Sequence, residues 1–358
     1  MLKFKLSQWA TVVFIFIGLL SSPLTKASSQ TSPFLKAMID PRIELLYLID
    51  VTAMAGSYSN CQPLNTVYLQ KAMKHFGQYD AHPAVTFYRE KIRYVYSNKV
   101  LEDSFLLLPD TFHQEDIFEM ENLPKEITEF LNLAISFYRD TRVDQFLLSQ
   151  QETLDFIKKS FQSMLNRQSW QSIYQEWFSD SMEEVCMILA PLKTTPHHAK
   201  LSGSKTKKSY VLVLGLSSIN NGFLVFATAS EIQESVMVQG SAHLFLNEMD
   251  KHKDQSDLIN TLMQPYEEQW KSMNLDNPFQ YLAFHMGNSI YCKLMESYQD
   301  NFNADTYLNE TYEKGYVLIK DHSRLLDDFI LHRDVYLDFN SFVPVWMESM
   351  IELLTPQL

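Results

Sequence analysis

Apolar residues recur every three or four positions along most of this 358-residue chain, and the pattern breaks once, between residues 183 and 227. That period puts apolar side chains on one face of a helix. It predicts helices over 41–56, 64–79, 84–96, 124–147 and 151–178. In the last of these Phe156, Phe161, Leu165, Trp170, Tyr174 and Trp177 fall on or near one face. Asp80-Ala81-His82-Pro83 is a break, because Pro83 disfavours helix at His82. Further helices are expected over 231–250, 256–272, 277–298, 305–320 and 322–330. Inside the interruption, 183–192 and 209–217 are short, rich in Val, Leu and Ile, and strand-like. Asn220-Asn221-Gly222 then leads into the apolar run 223–227. Asn and Gly accept the positive φ of a tight hairpin turn, so 209–228 reads as a hairpin. The expected fold class is α+β and mostly α-helical, with one small sheet preceding a central helix at 231–250.

The N-terminus reads as an export signal. Lys3 and Lys5 precede an apolar stretch from Trp9 to Leu20, and Thr25 and Ala27 form a small-residue cleavage site. The apolar stretch is shorter than the roughly 20 residues a spanning helix needs, which disfavours the alternative of an uncleaved anchor. No other segment reads as a membrane span. The expectation is a signal peptide at 1–27, then a single domain at 28–358 that is periplasmic or secreted. The formal net charge is −13, and the signal removes three lysines and no acids. Phosphate binding needs clustered cations, so nucleic acid and anionic membranes are not expected partners. The one basic cluster, Lys200, Lys205, Lys207 and Lys208, lies among Ser, Thr and Gly and reads as a solvated loop. Aromatic content of 13% with only 9 glycines indicates a large packed core. Cys61, Cys186 and Cys292 are too few for a disulfide scaffold.

Gln239, His243 and Asn247 recur every four residues and share a face of the 231–250 helix. Around them the chain resembles a bacterial family called domain of unknown function 4932, exported proteins that themselves resemble zinc peptidases. The resemblance runs through ordered blocks. They are Asp40-Pro41-Arg42-Ile43-Glu44-Leu45-Leu46 with Met54-Ala55-Gly56, His75-Phe76 with Asp80–Val85, and Phe137–Arg142 with Phe146. The last comprises Glu313–Tyr316, His332–Tyr336 and Phe339–Pro344. The resemblance implies a zincin-like fold and an active helix of the H-E-x-x-H type, in which two histidines hold zinc and the glutamate is the general base. Here Gln239 stands at the first histidine, Gly240 at the glutamate and only His243 at the second, followed by Phe245, Leu246 and Asn247. A third ligand, a glutamate on the next long helix, is matched by Phe284, with His285 following it.

Three of four expected groups are therefore replaced. Without the metal, the drop in bound-water pKa from about 15.7 to about 7 is lost. Without the base, a further factor of roughly 10²–10⁴ goes. The implied reading is a pseudopeptidase with no cofactor, its former cleft serving an extended peptide or protein segment at the hairpin edge. The alternative is a hydrolase whose zinc is held by His243, His285 and a nearby carboxylate. A structural or adhesive protein without ligand is a third reading. His197-His198 reads as an exposed pair, His322 and His332 as structural, and Glu44 as a cap, a surface ion pair or part of a polar cluster. There is no G-x-S-x-G elbow and no phosphate-binding glycine loop. Gly240 suggests close packing against the former cleft, or drift after the chemistry was lost.

Overall fold

The computed structural model describes residues 35–54, 66–109, 123–167, 170–178, 184–193, 209–220, 223–273, 275 and 277–355. The segment expected to be a signal peptide, Cys61, His197-His198 and the Lys200–Lys208 cluster lie outside them. The first strand, β1 (Leu35–Met38), runs into α1 (Pro41–Ala53), α2 (Val67–Phe76), α3 (Pro83–Phe87) and α4 (Asn98–Phe105). Then come α5 (Lys125–Asp140), α6 (Val143–Ser149), α7 (Gln151–Leu165) and α8 (Trp170–Phe178). The strands β2 (Glu184–Ala190), β3 (Ser209–Gly215), β4 (Ser218–Asn220) and β5 (Phe223–Val225) follow. The C-terminal part is α9 (Ala229–Ser235), a π turn at Val236–Gly240, α10 (Ser241–Met249), α11 (Lys253–Leu262) and α12 (Glu267–Ser272). It closes with α13 (Pro278–Tyr298), α14 (Ala304–Glu313), α15 (Ile319–Leu331) and α16 (Phe339–Leu354). The fold is α+β and mostly helical.

The sheet differs from the expected hairpin. β1, β2 and β3 form one parallel sheet in that order, with Leu35 opposite Val185 and Glu184 opposite Ser209. Central β2 buries Val185, Met187, Ile188, Leu189 and Ala190, the near-continuous apolar run of a strand covered on both faces. The segment 209–217 is thus not a hairpin arm: its strand ends at Gly215 and pairs parallel to β2. The hairpin arms are β4 and β5, with Asn220 opposite Phe223; the expected turn residues Asn221-Gly222 lie outside the described residues. The short β1 was hidden by its length. Its outer edge is held by one side chain: Gln162 on α7 accepts from Ala37 N–H at 2.8 Å and donates to Leu35 O at 2.9 Å.

Helix ends follow local chemistry. Asp40 caps α1 and Pro41 occupies its first turn. The expected helix 124–147 is divided at Arg142, whose φ of 57° is left-handed. The expected 305–320 helix stops at Glu313, because Gly315 (φ 102°) closes a Schellman motif: Gly315 N–H donates to Tyr312 O at 2.9 Å and Tyr316 N–H to Thr311 O at 3.3 Å. The most buried long helix is α13, apolar on nearly every side. The C-terminal α16, not anticipated as a helix, starts at a capping box of Asp338 and Ser341 and buries Phe339, Phe342, Trp346 and Met350.

Candidate functional site

The motif helix begins well formed. Thr228 and Glu231 make a capping box at the start of α9, with Thr228 N–H donating to Glu231 Oε2 at 2.7 Å. The expected uniform helix 231–250 is then interrupted by the π turn at Val236–Gly240, which contains Gln239 and Gly240. Tyr174 on α8 braces this turn: its hydroxyl donates to Val236 O at 3.5 Å and accepts from Ser241 Oγ at 3.3 Å. On the other side lies α13. A Cβ on Gly287 would sit 2.1 Å from Val238 O, so only glycine lets the two backbones meet this closely. Gly287 is a position the sequence reading did not single out; Gly240, which it did, is buried in the π turn itself. π turns inside helices are frequent at functional sites.

Gln239 and His243 are half-buried and Asn247 is exposed, so the stripe read from the sequence is a partly open face. Burial pushes the His243 pKa down, keeping the ring neutral. Phe284 is half-buried against the core. His285 is wholly buried and its ring is committed. Nε2 accepts from Leu318 N–H at 3.1 Å, so the proton sits on Nδ1, which donates to Tyr281 O at 2.8 Å. Burial pushes its pKa down to about 4, against the lift from the backbone of Tyr281 and Tyr316. In this arrangement Nε2 offers no lone pair to a metal. His322 is buried with its ring 5.2 Å from that of His285 and 5.1 Å from that of Trp346. His332 is exposed and bonds Asp328 O, and His252 lies 3.8 Å from Glu248. Among the described residues, no three His, Cys, Asp or Glu side chains come together as a metal-holding group. No described helix is long and apolar enough to cross a membrane.

A family model described as a domain of unknown function, number 4932, matches residues 108–348. The chain belongs to this family. No curated protein and no solved structure matches the chain. The matched span holds the Phe137–Arg142 block, the motif helix, the Phe284-His285 segment and the C-terminal block; the blocks at 40–56 and 75–85 precede it. In this family member the 75–85 and 137–146 blocks pack on each other. His75 bonds Thr141 O at 3.3 Å, and His82 Nε2 lies 3.2 Å from Asp140 Oδ2.

Two features went unread in the sequence. The first lies beyond the carboxyl ends of β1 and β2, where open parallel sheets usually hold ligands. Arg42 forms a bidentate pair with Asp40 and donates to Leu106 O and Leu108 O at 2.9 and 3.0 Å. Lys193, wholly buried, lies 2.7 Å from Glu102, which also accepts from Tyr47. Glu44, wholly buried and neither a cap nor a surface pair, accepts from Tyr68 OH at 2.5 Å. Burial raises its pKa to about 8. The usable signal was one acid inside the apolar run of α1. The second feature is a groove of about 560 Å³ between α7, the start of α2 and the β4–β5 hairpin. Phe161 and Phe226 line it, in edge contact with centroids 6.0 Å apart. Gln239, Gly240, His243 and Phe284 do not line it.

Proposed function

We propose that this protein is an exported, non-catalytic relative of zinc peptidases that binds an extended peptide or protein segment. The observation that carries the reading is the chemistry at the expected zinc positions. Gln239, Gly240 and Phe284 supply neither a good imidazole ligand, nor a base, nor an anion, and the free nitrogen of His285 is taken by Leu318 N–H. These residues do not fit a zinc ion of the H-E-x-x-H kind. A hydrolase rebuilt on His243 and His285 would first have to break the bond from Leu318. Strand addition needs no metal, and a sheet and hairpin accompany the helix.

The reading is tested by incubating the purified mature chain with a library of labelled extended peptides, with and without added zinc. Binding without cleavage is expected. Zinc-dependent cleavage that disappears in His243→Ala would overturn it.

A further inference from the structure

The segment between α14 and α15 is gripped along one face of α13. Tyr281, His285 and Ser289 follow one another at four-residue spacing, so they stand one above the next on that helix. Tyr281 OH donates to Gly315 O at 2.6 Å and accepts from Val317 N–H at 3.3 Å. His285 Nε2 accepts from Leu318 N–H at 3.1 Å, and Ser289 Oγ donates to Ile319 O at 3.3 Å. Residues 315–319 thus form a strap tied to α13 by three side chains. Tyr316 adds ring contacts, stacked on Tyr281 at 6.2 Å and edge-on to His285 at 5.1 Å. His285, Ser289, Leu318 and Ile319 are all buried.

Only the central tie can be undone by a proton. Ser289 does not titrate, and burial holds the Tyr281 hydroxyl protonated, with its pKa pushed up to about 12. His285 accepts from Leu318 only while Nε2 carries no proton. A second proton would set N–H against N–H and leave an imidazolium buried. On α13 the ring faces Tyr281, on the strap Tyr316, and on α15 His322, whose ring is 5.2 Å away. Tyr266 acts on Tyr281, and α16 brings only Trp346, against His322. None of these groups is an anion at neutral pH, and among the described residues no Asp or Glu acts on either imidazole. Both ring nitrogens of His322 are buried without a hydrogen-bond partner, so a proton is no better housed there. Main-chain groups of Tyr281 and Tyr316 favour a proton on His285, and burial outweighs them. Freeing the strap lets water reach the ring and removes that penalty.

We propose that residues 315–319 form an acid-released latch: a proton on His285 breaks its hold on Leu318 N–H and frees the strap from α13. The free ring binds the proton more tightly than the buried one. The latch is therefore closed above about pH 6.5 and opens as pH falls toward about 4. The opening is local and independent of what the protein binds.

The test is hydrogen exchange read by mass spectrometry on the mature chain between pH 8 and pH 4. Chelator is present throughout, and rates are corrected for the pH dependence of free amides. Peptides covering 315–319 report the latch, and peptides from β2 and α5 serve as reference. Protection at 315–319 should fall by up to about tenfold per pH unit below about 6.5, with the reference unchanged. His285→Gln keeps a neutral acceptor toward Leu318 and should abolish the fall. Tyr281→Phe cuts the ties to Gly315 and Val317 but leaves His285, so protection should drop at every pH and the fall should remain. That variant and His322→Leu, which should also keep the fall, carry the test if His285→Gln does not fold. Protection at 315–319 that stays constant down to pH 4 overturns the latch. A loss shared by β2 and α5 overturns it too, because that is global unfolding. So does a fall that persists in His285→Gln or vanishes in His322→Leu.

Discussion

The end of the parallel sheet and the face of the motif helix are both polar, yet they are built in opposite ways. At the sheet end the charges are buried and matched: Asp40 with Arg42, Glu102 with Lys193 and Tyr47. On the motif helix the polar groups stand open or half-open, with Gln239 and His243 half-buried and Asn247 exposed. Buried ion pairs are costly to break but contribute little when intact compared with apolar packing. Their presence where a ligand would ordinarily sit marks that end as framework. The motif helix is instead pressed against α13 at Gly287 through a π turn that carries Gln239 and Gly240.

That contrast can be broken in order of effect. Lys193→Met strands a buried Glu102 and should cost about 3–5 kcal/mol of unfolding free energy, while Lys193→Met with Glu102→Leu recovers most of it. Denaturant titration reads both; a Lys193→Met effect below about 1 kcal/mol would show that the sheet end is not framework. Gly287→Ala places a methyl 2.1 Å from Val238 O and should lose about 3 kcal/mol or more, with the loss seen as a lower Tm. A tolerated alanine would mean that α13 and the π turn are not locked.

The pH profile separates the regions more finely. Glu44, with its pKa raised to about 8, is more protonated in the folded than in the unfolded chain. Its stabilisation is full below about 4.5 and is lost as pH rises through 8, with a slope of up to about 1.4 kcal/mol per pH unit. His285 works in the opposite sense. Its pKa is lowered to about 4, so its contribution is present above about 6.5 and is lost as pH falls. Burial pushes His322 the same way. Glu44→Gln should flatten the alkaline limb of the stability curve and leave the acid limb. The smallest effect belongs to His243→Ala, a half-buried side chain, at under about 1 kcal/mol. A larger loss would give His243 a structural role that its exposure does not suggest.

Much of the helical order was legible because 3.6-residue apolar periods and caps are local. Pro83 announced itself, and so did the amphipathic period of the expected 151–178 helix, which the structure divides into α7 (Gln151–Leu165) and α8 (Trp170–Phe178). The sheet was less legible. Parallel pairing of 35–38 with 185–188 is non-local, and a four-residue strand carries no period to read. Gly315 carried a readable helix stop that periodicity alone overrode. The substitutions at Gln239, Gly240 and Phe284 were visible as letters. The π turn around Val238, the bond from Leu318 N–H to His285 and the burial of Glu44 depend on which helices meet, and that information lies outside any single segment.

The central claim is that the motif helix has lost its metal chemistry. Its most direct test is the zinc content, by elemental mass spectrometry, of the mature chain purified without a His-tag and dialysed briefly against chelator. Zinc well below one ion per chain, unchanged in His243→Ala, is the predicted result. Near-stoichiometric zinc that is lost in His243→Ala would contradict the account.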